Sequence, residues 1–96
     1  MLKYIVELLG TFIFLSVILI SKGNPISIGI ALAAVILFGG KISGGHFNPA
    51  VTWMSWLNGS KNTSESFMYL FSQLIGGTLA YLFYDSNKKL LIPKNN

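Results

Sequence analysis

Apolar positions in this chain fall into three long runs separated by short polar stretches. Residues 4–21 carry a single charge, Glu7, and residues 25–40 and 67–84 carry none. A bilayer core of about 30 Å needs about 20 helical residues, with a range of about 17–25. The first and third runs reach that range. The second is slightly short and must borrow from its flanks. The pattern therefore predicts three membrane-spanning helices. Lys22-Gly23-Asn24-Pro25 reads as the tight turn between the first two. Gly and Asn supply its turn chemistry, and Pro suits the first position of the next helix.

A different region lies between the second and third runs. Residues 41–47 are polar and glycine-rich. Residues 49–57, PAVTWMSWL, form a helix-compatible stretch about 14 Å long at about 1.5 Å per residue. That is half a bilayer. Asn58-Gly59 is a helix-stop signal, and residues 58–66, NGSKNTSES, read as a polar loop. Asn58 and Asn62 each begin a glycosylation pattern, of the kind that arises by chance in a polar loop. The tail, residues 85–96, is polar and basic and is expected to be loosely ordered. All 96 residues make one domain.

Composition agrees with insertion in a membrane. Hydrophobic residues are 52% and charged residues 10%, against about 25% charged in a soluble domain. So little charge cannot cover a globular surface. The net charge of +4 comes from seven Lys and no Arg. Those lysines are scattered between and beyond the apolar runs, where membrane-flanking charges belong. A nucleic-acid binder would cluster its bases and use Arg, so no nucleic-acid partner is expected. There is no Cys and one His, which leaves no disulfide framework, thiol nucleophile or metal site. No cofactor fingerprint and no nucleophile–base–acid set is present, so the chain does not read as an enzyme. The N-terminus has the outline of a signal peptide, but Glu7 interrupts its apolar run and no clear small-x-small cleavage site follows it.

Residues 43–52 read SGGHFNPAVT. Asn48 is a good N-cap and Pro49 suits the first helical position. The preceding glycines let the chain approach in a conformation other residues resist. A bare Asn-Pro-Ala is only a helix start in most proteins. Here it opens a half-length helix between two apolar segments. Irregular backbone at membrane depth is tolerated only where it is buried in protein or lines a watery cavity. If residues 41–47 dip into the bilayer, their carbonyls face a pore or a packed neighbour. The half-helix then points its positive end at that place. The Asn48 amide adds N–H donors. Such an arrangement favours neutral hydrogen-bonding solutes and opposes cations and protons.

SGGHFNPAVT resembles the first-repeat signature of the aquaporin and glycerol-facilitator family, the major intrinsic proteins. Glu7 with Gly10-Thr11-Phe12 is similar to the pattern in that family's first helix, and Gln73 with Gly76-Gly77 to the pattern in its third. Residues 4–84 fall into the family's order of helix, helix, re-entrant half-helix, helix. The resemblance implies an all-α membrane fold, half of an aquaporin-like one. It implies a multi-pass protein in contact with lipid that passes water or small neutral solutes such as glycerol. Asn48, with Pro49 and Ala50, would stand at the pore centre. Gly44, Gly45 and His46 would offer backbone carbonyls along it. Glu7, which is costly in a membrane segment unless satisfied, would hold the re-entrant loop, with Gln73 beside it. His46 reads as a structural residue rather than a metal ligand.

The chain also departs from the family. Full-length members have two inverted halves and two Asn-Pro-Ala motifs, and this sequence carries one. An Arg follows the second motif in the family, whereas Val51 follows Ala50 here. Ile28 stands where a bulky aromatic is usual. A lone half leaves its re-entrant carbonyls facing lipid. Two antiparallel copies would restore an inverted repeat. Lys3, Lys41 and Lys61 are expected on one side and Lys22, Lys88, Lys89 and Lys94 on the other. That near balance permits both orientations. A separate second-half partner, a non-conducting truncated fragment, and a small membrane assembly protein are the competing readings.

Overall fold

The computed structural model describes residues 1–92. The regular structure among those residues is all helix, with no strand: α1 (Leu2–Ile20), α2 (Pro25–Ser43), α3 (Pro49–Leu57), α4 (Thr63–Ser86) and a short α5 (Lys88–Leu91). α1, α2 and α4 are each long and apolar enough to cross a membrane. The protein is an all-α integral membrane protein with three spans and one half-length helix.

Each boundary has a local cause. α1 ends where Lys22 and Gly23 take left-handed φ values of 54° and 78°. The Gly23 N–H then closes back on the Ile18 carbonyl at 3.0 Å. Asn24 caps α2 by accepting from the N–H groups of Ile26 and Ser27, both at 3.0 Å, and Pro25 follows at the first position.

α2 continues to Ser43, past the Gly40 at which the apolar run stops. Gly39 explains part of this. A Cβ there would lie 2.7 Å from Val6 Cγ1, so the glycine is a packing residue of the α1–α2 contact rather than a stop. Residues 41–43 supply the length the second run lacked. The turn comes one residue later, at Gly44, with φ 89°.

α4 begins at Thr63, four residues before the apolar run. The Asn62 side chain accepts from the Glu65 N–H at 2.8 Å, and Glu65 lies in the first turn, where a carboxylate suits the helix dipole. The connecting loop therefore shrinks to residues 58–62. Asn58 has a local role too, accepting from the Ser60 N–H at 2.9 Å. Of the tail, residues 88–91 are helical rather than loose, and residues 93–96, with Lys94, lie outside the described residues.

α1 lies between α2 and α4, and α3 packs on α4. Small residues make the crossings close. A Cβ at Gly76 would sit 2.5 Å from the Leu8 carbonyl oxygen, so the α1 and α4 backbones touch there. The bundle is polar inside and apolar outside. Glu7, Thr11, Thr52 and Gln73 are fully buried, whereas Leu9, Ile30, Leu37, Phe38 and Phe71 are exposed. That reverses a soluble domain and suits a lipid surround. At one end Lys3 and Lys61 bracket Glu65 at 2.9 and 3.5 Å. Lys22, Lys88 and Lys89 gather at the other.

Candidate pore-lining site

The site is built around Glu7. Its α1 position is wholly buried, so its carboxylate must be satisfied by protein donors. Four converge on it. Oε2 accepts from Ser43 Oγ at 2.7 Å and from the His46 N–H at 3.1 Å. Oε1 accepts from the Phe47 N–H at 2.8 Å and from Gln73 Nε2 at 2.9 Å. One side chain thus joins the end of α2, the connecting loop and α4.

The network extends toward α3. Gln73 Nε2 also donates to Thr52 Oγ1 at 2.8 Å, and His46 Nδ1 lies 2.9 Å from the same hydroxyl. The Tyr69 hydroxyl donates to the Ser43 carbonyl, and the His46 ring stands edge-on to Tyr69 at 5.2 Å. His46 is therefore held by protein contacts. No group of three metal-ligating side chains occurs among the described residues.

The loop between α2 and α3 is short and strained into shape. Gly44, Gly45 and Phe47 have φ values of 89°, 68° and 52°. Left-handed φ is unusual for Phe. What fixes it is the ring, which is buried in a slot that exists because two helices carry glycine. A Cβ at Gly10 would come within 2.1 Å of the Phe47 ring, and one at Gly39 within 3.2 Å. The two Phe47 constraints, ring and N–H, leave the next residue facing outward. Asn48 is exposed, and its Oδ1 caps α3 by accepting from the Ala50 N–H at 2.8 Å.

α3 starts at mid-bundle. Asn48 and Pro49 line one groove with Thr11 and Leu74, which sit near the midpoints of α1 and α4. The nine residues of α3 then run about 14 Å back toward the Lys61 end. Beyond its N-terminus the groove is open, about 620 Å³, and is walled by Phe14, Leu15, Gly77 and Tyr81. Among the described residues no hydrogen-bond donor reaches the carbonyls of Gly44, Gly45 or His46. Val51 is half-buried in the first turn of α3. Ile28 is apart from all of these, in the first turns of α2, about 22 Å along that helix from Ser43.

Sequence reasoning did not find Ser43, Phe47, Thr52 or Tyr69. Ser43, Phe47 and Thr52 stand inside SGGHFNPAVT, but nothing in the pattern says which way their side chains turn. Tyr69 reads as one more aromatic of an apolar run.

A buried polar hub that holds a helix start at mid-membrane defines a class: an integral membrane protein with a re-entrant half-helix. Comparison with known proteins places it within that class. The model of the major intrinsic protein family matches residues 1–91, and the chain belongs to that family of channels. It is 42% identical over 89 residues to glycerol uptake facilitator protein-like 6 of Lactiplantibacillus plantarum, covering 83% of this chain and 41% of that protein. It is 38% identical over 92 residues to aquaporin Z of Photorhabdus laumondii, covering 81% and 40%. Rat (Rattus norvegicus) aquaporin-8 is 39% identical over 85 residues, covering 78% and 32%. The chain thus spans about two fifths or less of the length of these relatives. No solved structure matches.

Proposed function

We propose that the chain is one half of a passive channel for water and small neutral solutes, completed by a second half. Transport, not catalysis, is its role. The observation that carries this reading is the start of α3 at mid-bundle, with Asn48 exposed beside an open groove. The helix N-terminus is positive there. The carbonyls of Gly44, Gly45 and His46 supply acceptors with no donor of their own. A line of acceptors leading to an amide donor carries hydroxyl-bearing solutes and opposes cations.

An antiparallel copy or a partner chain can supply that second half. In the antiparallel pair, two α3 helices meet end to end at Asn48, and each mouth sets Val51 of one copy near Ile28 of the other. Both residues are aliphatic, so the mouths are wide and apolar. Glycerol-sized solutes then pass as well as water. Liposome swelling tests the reading. The purified chain is expected to raise both water and glycerol flux. Water flux without glycerol flux overturns the wide mouth, and absence of both, with the chain inserted and helical, overturns a self-sufficient pore. Tagging both termini separates the sources of the second half: mixed orientation fits self-pairing, and one fixed orientation fits a partner.

A further inference from the structure

At the end of the bundle away from α3, three cations share one concavity. Lys22, from the turn after α1, and Lys88 and Lys89, from α5, line a basin of about 380 Å³ with Tyr84 and Ile92. Lys22 is more than 60 residues from Lys88 and Lys89 in sequence, so the fold brings it to them. Asp85 answers one of them, lying 3.3 Å from Lys88 Nζ. Among the described residues, no carboxylate lies within 4 Å of Lys22 or Lys89. Like charges in one concavity repel, and an anion between them removes that repulsion.

Lys22 carries a second signal. Its φ of 54° is one that Gly or Asn adopts with less strain. Gly23 follows and also turns left-handed, so the turn itself does not call for a charged side chain at Lys22. The long cation there reaches the same concavity as Lys88 and Lys89. The third feature is position. Tyr84 stands near the C-terminal end of the last span, where aromatic rings mark the membrane interface. Leu90 of α5 is 84% exposed directly beside the two lysines. Cationic heads and an apolar neighbour at one interface suit a ligand with an anionic head and an acyl tail.

We propose that Lys22, Lys88 and Lys89 form a binding site for the phosphate headgroup of an anionic phospholipid. The site lies at the end of the bundle opposite the half-helix and stands apart from the pore reading. Lys22 and Lys89 take the phosphate oxygens, Lys88 is held in place by Asp85, and Leu90 and Ile92 lie along the acyl chain.

The test is binding of phosphatidylglycerol to the purified full chain in detergent, read as the rise in thermal midpoint across a lipid titration. Phosphatidylcholine and inorganic phosphate are run alongside. The native chain is expected to respond to phosphatidylglycerol alone. Lys22→Asn and Lys89→Gln should each weaken the apparent affinity about fivefold, from the ordinary contribution of one basic residue near an anionic surface. Lys41→Gln, at the opposite end, should leave it unchanged. Without lipid, Lys22→Asn should unfold no sooner than the native chain, because Asn tolerates the left-handed turn. Equal weakening by Lys41→Gln means general charge attraction and overturns the site. Unchanged affinity in Lys22→Asn overturns it too. A response to inorganic phosphate equal to that of the lipid assigns the site to free phosphate and overturns the lipid.

Discussion

The Phe47 N–H donates to Glu7 Oε1 at 2.8 Å, across 40 positions of sequence. This bond ties the loop before the half-helix to the first span at the depth where α3 begins. Its carboxylate partner is shared with Ser43, His46 and Gln73. The half-helix is therefore not positioned by its own packing alone. It also hangs from one shared acid, beside the Phe47 ring slot and the Gln73–Thr52 bond.

Replacing Glu7 with Gln should destabilise the chain by about 3 kcal/mol. A glutamine places an NH2 group where two of the four donors now point, whichever way its amide is turned. Each buried donor left without an acceptor costs about 1–3 kcal/mol. Unfolding of purified Glu7→Gln in mixed detergent measures the loss. Native-like stability would mean that the carboxylate is not the hub.

Gly10→Ala should cost about 1–3 kcal/mol, the usual range for overfilling a packed interior. The added methyl would lie 2.1 Å from the Phe47 ring. The ring is wedged between α1 and α2, so the loop must move with it. Asn48 would move too, and solute flux should fall along with stability. Gly29→Ala is the control, because a Cβ there meets nothing within 4 Å. Equal behaviour of the two variants in unfolding and flux measurements would refute the slot.

The three spans were legible because lipid imposes a simple requirement, a long uncharged run, on each of them. The helix start at Asn48 was legible because N-cap and Pro chemistry is local. Glu7 and Gln73 could be placed beside the loop only through family resemblance, since nothing along the chain links positions 7, 46 and 73. The ends of α2 and α4 were misplaced for a related reason. Residues 41–43 and Thr63–Ser66 look like loop composition, yet α2 runs on through Gly39, packed on Val6, to Ser43, and the Asn62 cap starts the second stretch early. Phe47 shows the deepest gap. Its left-handed backbone is set by glycines 37 and 8 positions away.

Asn48→Asp should leave folding nearly intact and change permeation. Aspartate caps helices about as well as asparagine, and Asn48 is exposed rather than part of the Glu7 network. A carboxylate at the positive end of α3 would replace an N–H donor with an acceptor and attract cations. Glycerol flux should fall and cation leak should rise, both read in liposomes. If neither changes while the native chain conducts, the pore does not pass Asn48.

Val51→Arg tests what sets the width of the opening. Val51 is half-buried in the first turn of α3, directly after Ala50. In an antiparallel pair the substitution would place a guanidinium at both mouths, each opposite Ile28. Its length narrows the opening, and its fixed donors hold water more readily than a three-carbon polyol. Glycerol flux should drop about tenfold, equivalent to about 1.4 kcal/mol at the barrier, while water flux falls much less. Stability should be checked in parallel, because half of the side chain must leave the protein interior. A proportionate loss of both fluxes in a stable variant would mean that Val51 does not face the solute path, and the wide apolar mouth would have to be placed elsewhere.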